Sequence, residues 1–243
     1  MAISRQAILI GSPSVKPELP GVTTDMGNIK QFLLSNKGGA WRADEIVTLS
    51  DPSSAAVDAQ IESARYKDYV FISCSGHGEH RVGKGLDETV MYVKENETVS
   101  ISSINPRNKR HLVIVDVCRK LIRVETMEET RAAMKAFMKS AAIPIDYRKI
   151  FDDAVMANPE GRIVAYSCDI NQSAGDDGSG GVFTQELLAA PKYFSPTNNN
   201  QYGIVKINAA FDQAKTMTYA KNAPQSPVFN AGRRMDFYPF AIV

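Results

Sequence analysis

The sequence predicts an α/β protein: a central, mostly parallel sheet covered by helices on both faces. Short apolar runs at 7–10, 70–72 and 112–115 have the look of strands buried on both sides. Amphipathic stretches separate them, as the crossovers between parallel strands require. A chain of 243 residues that is 44% hydrophobic can build the core of one large domain.

Taken in order, residues 6–11 form a first strand that closes on Gly11-Ser12-Pro13. Residues 24–34 place Met26, Ile29, Phe32 and Leu33 at helical spacing, with Thr23 and Thr24 as candidate caps. A second strand at 45–49 and a helix at 52–64 follow. Residues 68–74 are a third strand that runs into Ser75-Gly76-His77-Gly78, and 90–93 with 99–101 form a small hairpin. Residues 111–117 are the strongest buried strand, and 162–168 another of the same kind. Helices are expected at 182–190 and 204–219, and a last strand at 237–243. The loops 175–181 and 197–201, rich in Gly or Asn, are expected to be mobile.

Lys and Arg total 28 against 27 Asp and Glu, a net charge of +1. Nucleic-acid binders usually carry a basic excess, so no nucleic-acid partner is expected. No run approaches about 18 apolar residues, and the start lacks a secretion pattern, so neither membrane nor export is expected. Three widely spaced cysteines, Cys74, Cys118 and Cys168, fit a reducing cytoplasm better than a disulfide framework.

Active sites of open parallel sheets gather at the carboxyl ends of the strands. One such end carries His77 between Gly76 and Gly78, and another carries Cys118 two residues after Asp116. An imidazole that takes up the thiol proton makes a cysteine nucleophilic. The N–H groups of Gly78 and Cys118 would hold the oxyanion of a tetrahedral intermediate.

The two segments, Ser75-Gly76-His77-Gly78 and Asp116-Val117-Cys118-Arg119, resemble those of caspases and metacaspases, cysteine proteases of peptidase family C14. The likeness continues through Ala165-Tyr166-Ser167-Cys168, Gln172-Ser173-Ala174, Gly180 to Leu188, and Pro224-Gln225-Ser226-Pro227. It implies a caspase-like sandwich in one domain over 1–243: a large half at about 1–118, a linker at about 119–158 and a small half at about 159–243. It also implies catalysis by a His77–Cys118 dyad with no cofactor and no metal.

Asp116 stands where animal caspases have Gln, and Asp25 matches the acidic position of the metacaspase, paracaspase and bacterial branch. Asp25, Asp116 and Ser75 would then form an anionic pocket selecting Arg or Lys, because paired carboxylates suit a guanidinium. Lys120 departs from the small residue usual beyond the nucleophile. Residues 100–110 lack the acids of calcium-dependent relatives, and the Asp87-Glu88 pair is expected only to shape its loop.

The basic segment stands where caspase-like proteins carry the linker between their halves, and two readings stay open. One is a zymogen cut by itself or by an upstream protease, with a regulator as a further partner; the other is a solvated helical insertion that is never cut. Arg119, Lys120, Arg123, Arg131, Lys135, Lys139, Arg148 and Lys149 are candidate cut sites. Bacterial relatives that cut a partner protein in antiviral defence suggest a role and a protein substrate.

Two rival readings remain: a catalytically silent caspase-like scaffold that binds a regulator, and a flavodoxin-like small-molecule binder. Cys74 and Cys168 are expected in the core, His80 in a solvated loop, and His111 as a structural residue. Trp41 stands alone and makes no stacking platform.

Overall fold

The computed structural model describes residues 3–83, 85–122, 145–197 and 200–243. In chain order the first half contains β1 (Arg5–Gly11), α1 (Pro20–Leu34), β2 (Ile46–Ser50), α2 (Ser54–Ser63), β3 (Tyr69–Gly76), β4 (Gly78–Gly83), β5 (Leu86–Lys94), β6 (Glu97–Ser100) and β7 (Arg110–Val117). The second half contains β8 (Leu121–Ile122), α3 (Tyr147–Ala157), β9 (Gly161–Tyr166), α4 (Val182–Ala189), β10 (Ile204–Lys206), α5 (Ile207–Lys221), β11 (Val228–Asn230) and β12 (Pro239–Ile242).

The main sheet has six strands in the order β11-β9-β7-β3-β1-β2. The five from β2 to β9 are parallel, and β11 closes the edge antiparallel to β9. All eight residues of β3 are buried: Tyr69 to Ile72 form an unbroken apolar run, and Ser73 and Ser75 are buried beyond it.

The two faces of the sheet lead to two cores. Ala7, Leu9, Phe71, Leu112, Ile114 and Ile163 pack with Ile29 and Leu33 of α1, Phe151 and Val155 of α3, Leu187 of α4 and Phe211 of α5. The intervening residues Ile8, Ile10, Ile72, Val113 and Val115 face the other way, onto Val57 and Ile61 of α2 and Met91, Val93 and Val99. That second face is shared by α2 and a four-stranded sheet, β6-β5-β4-β8. The hairpin read from the sequence, β5 with β6, forms one side of this sheet.

The helix α1 begins at Pro20, a turn before Thr24, with proline in its first turn and no side-chain cap. Proline has no N–H to leave unpaired there, and Thr24 is buried instead of capping. Ile204 to Lys206 form a strand against β12 before α5 starts, so the last strand pairs with β10 in a separate ribbon.

Of the segment 119–158, residues 123–144 lie outside the described ones, and with them Arg123, Arg131, Lys135 and Lys139. Its ends are built into the fold. Arg119 is buried, and Arg148 on α3 donates two hydrogen bonds to Glu45. Neither side chain is free to enter a protease.

Candidate active site

The strand order reverses at β1, between β2 and β3, so the chain leaves the sheet in opposite directions there. Crevices at such switch points are where open α/β sheets take ligands. β3 and β7 run parallel with Gly76 opposite Val117. His77 and Cys118 are the next residues along the two chains, so the register delivers them to neighbouring positions.

Nε2 of the His77 ring lies 2.6 Å from the Pro17 carbonyl oxygen. A carbonyl can only accept, so Nε2 carries the hydrogen, which in the neutral ring leaves the lone pair on Nδ1. The half-buried Cys118 thiol donates to the Ala174 carbonyl at 3.8 Å. Burial pushes that thiol up, and the charge of Asp116 adds to the effect, so the resting sulfur is protonated. A side chain on Gly78 would meet Val117 Cγ2 at 2.5 Å and the Val90 carbonyl at 2.8 Å. Only glycine lets the strand after His77 pass that close.

The three polar residues assigned to the pocket lie on α1, β3 and β7. Asp25 on α1 is 1% exposed and Asp116 on β7 is 6% exposed. Ser75 Oγ donates to Asp25 Oδ2 at 3.0 Å, and the Gly181 N–H donates to both Asp25 oxygens, at 2.9 and 3.1 Å. Thr184 donates twice to Asp116 Oδ2, from its N–H at 3.1 Å and its hydroxyl at 2.6 Å.

A third carboxylate, Asp176, was not found from the sequence. Its Oδ2 would be 2.1 Å from a Cβ on Gly21, so the glycine of α1 admits it. Burial raises Asp25 and Asp116, and the charge of Asp116 raises Asp25 further. Burial likewise carries Asp176 up to about 6. Among the described residues, no cation enters the field at any of the three.

The segment 175–181, expected to be mobile, is a tied strap across these acids. The Gly175 N–H donates to Gln225 Oε1 at 3.0 Å, and the Val182 N–H to the Gly175 carbonyl at 2.8 Å. A Cβ on Gly180 would fall 2.1 Å from Asp25 Oδ1, and one on Gly181 2.2 Å from Asp116 Oδ2. Bare backbone is the only thing that fits over the pair.

The family model described as a caspase domain, Peptidase C14, matches residues 4–238. The chain belongs to this family of cysteine peptidases. No curated protein matches at a significant level. Among solved structures, the crystal structure of caspase-1 from Spodoptera frugiperda is similar, with a TM-score of 0.60 at 13% identity. The match covers 95% of this chain and 87% of that one, and at such identity it concerns the fold.

Elsewhere in this caspase domain, Cys74 and Cys168 are buried, and burial pushes each thiol up to about 12. His111 is buried, and burial lowers it to about 4. Trp41 lies in the core beneath the Arg5 guanidinium, 4.4 Å from its ring centre.

His80 departs from expectation. It is 4% exposed on β4, bonded to Thr89 and Asp87. Two glycines and three charged or titratable residues in β4 hid a strand that only pairing with β5 and β8 makes stable. Pro17 and Thr184 were also missed, since neither residue type carries chemistry by itself. The one available signal for Thr184 was Gly180-Gly181 just before a helical pattern.

Proposed function

We propose that the chain is a cysteine endopeptidase that cleaves proteins after Arg or Lys through Cys118 and His77. The supporting observation is the strand register that brings His77 and Cys118 to neighbouring strand ends, beside a buried acid cluster with no cation among the described residues.

His77 Nδ1 takes the thiol proton as sulfur attacks the carbonyl carbon after the basic residue. The oxyanion lies against the N–H groups of Gly78 and Cys118. His77 then gives the proton to the leaving amine, the C–N bond breaks, and a thioester remains. Water, deprotonated by His77, releases the acid and restores the thiol. The Pro17 carbonyl keeps the imidazole in the tautomer this cycle needs.

The substrate cation would replace the N–H donors that now satisfy Asp25 and Asp116, with Asp176 as a third carboxylate. The strap over the acids must lift for this, so the described arrangement is the resting, zymogen form. Cutting the linker is the proposed release, by the enzyme itself or an upstream protease. Lys120 and the basic residues of 123–144 are the sites to examine. A part in antiviral defence rests on the family resemblance.

Wild type and Cys118→Ala, incubated alone and with an Arg-containing peptide, then read by intact mass, test the reading. The variant should cut nothing while unfolding as wild type does. Cutting by both proteins would remove Cys118 from the mechanism. No cutting and no labelling by an Arg-directed thiol reagent, even after linker proteolysis, would favour a silent scaffold.

A further inference from the structure

The loop behind the thiol is tied to the second sheet by a chain of side chains the proposed mechanism does not use. Arg119 directly follows Cys118. Its Nε donates to Thr89 Oγ1 at 3.0 Å, its Nη1 donates to the Cys168 carbonyl at 3.1 Å, and its guanidinium lies 4.1 Å from the Tyr166 ring centre. Its backbone is held as well, with N–H to the Gln172 carbonyl and carbonyl to the Asn171 N–H. Arg119 therefore joins the end of β7 to the 168–174 turn, whose Ala174 carbonyl accepts from the thiol.

Thr89 and His80 stand opposite each other on β5 and β4. Their contact, His80 Nδ1 to Thr89 Oγ1, is 3.1 Å, and His80 Nε2 lies 2.9 Å from Asp87 Oδ1. Donor chemistry orders the chain. An arginine Nε only donates, so Thr89 accepts there and its hydrogen is left for His80 Nδ1. The other nitrogen, Nε2, then carries a hydrogen and donates to the Asp87 carboxylate, which only accepts. In this arrangement every link runs one way, from Arg119 through Thr89 and His80 to Asp87. The backbone repeats the tie, since the His80 N–H donates to the Lys120 carbonyl at 3.0 Å.

We propose that His80 and Thr89 are positioning residues for Cys118, holding Arg119 so that the thiol keeps its place beside His77. The inference rests on the reading of Cys118 as the nucleophile, but its effect on the thiol can be measured without a substrate.

The test compares Thr89→Val, which keeps shape and loses the hydroxyl, with Thr89→Ser, which keeps the hydroxyl. His80→Gln accompanies them. Each is read by the iodoacetamide alkylation rate of Cys118 against pH, mapped by mass, and by kcat and KM on an Arg peptide. Thermal unfolding confirms that each variant is folded.

Thr89→Val and His80→Gln should change the alkylation rate and lower kcat by about tenfold, with KM within about twofold. Thr89→Ser should stay near wild type. Wild-type alkylation and kcat in a folded Thr89→Val would overturn the proposal, and so would equal losses in Thr89→Ser and Thr89→Val. If wild type cleaves no peptide but the alkylation pattern holds, the positioning role stands and the peptidase reading falls.

Discussion

The two ends of the main sheet bury charge in opposite ways. At the amino-terminal end, the fully buried Arg5 side chain sits 3.1 Å from Asp152 and 3.7 Å from Glu45, and Arg148 pairs with Glu45 from α3. Burial lowers Arg5 to about 10, so it remains charged at neutral pH. Burial acts to raise Glu45, but hydrogen bonds from Arg148 and Arg42 and the charge of Arg5 outweigh it and hold Glu45 at about 2. At the carboxyl end, Asp25, Asp116 and Asp176 gather with backbone and hydroxyl donors for company, and all three are raised. One end is neutralised from within the chain. The other has no positive partner among the described residues, as the proposed site for a substrate cation needs.

Removing a partner should expose the difference most strongly at the closed end. Arg5→Met leaves Asp152 and Glu45 buried without their cation and should cost about 3–5 kcal/mol in urea unfolding. A loss below about 1 kcal/mol would mean the network is not self-neutralised.

Titration should separate the ends next. Glu45 is depressed, so its contribution is full above about 4.5 and is lost as pH falls towards about 2. The wild type should therefore lose roughly 3 kcal/mol more than Glu45→Gln over that range.

Asp25→Asn should do the reverse of Arg5→Met. Stability should change by less than about 1 kcal/mol, because no cation among the described residues balances the carboxyl, while kcat/KM on an Arg peptide falls roughly 100-fold. Unchanged cleavage would place the basic pocket elsewhere.

Asp176 titrates in the opposite sense to Glu45. The fold holds its proton between about 3.8 and about 6, where the unfolded chain has released it. Its stabilisation is present below that window and lost as pH rises through it, opposite in sign to Glu45. Wild type minus Asp176→Asn, measured by urea unfolding across the window, should show this decline.

The paired strand ends were legible because β3 and β7 are buried on both faces and end on His77 and Cys118. Asp25 was legible only through resemblance, since nothing in Thr23-Thr24-Asp25 distinguishes a pocket acid from a residue of a helix's first turn. Pro17 and Asp176 were invisible, because each lies in a loop whose place is set by distant contacts, as Gln225 holds Gly175 beside Asp176. His80 was misread for a related reason: β4 lacks an apolar pattern of its own.

By itself, the sequence determined the parallel sheet, the order of its strands' chemistry and the two residues at their ends. Local hydrophobic periodicity and strand termination are short-range properties, written in neighbouring residues. Only the tertiary structure decided which donors satisfy the buried acids, that the strap covers them, and that His80 stands behind the thiol. Those contacts join residues far apart in the chain, and their geometry depends on how whole elements pack.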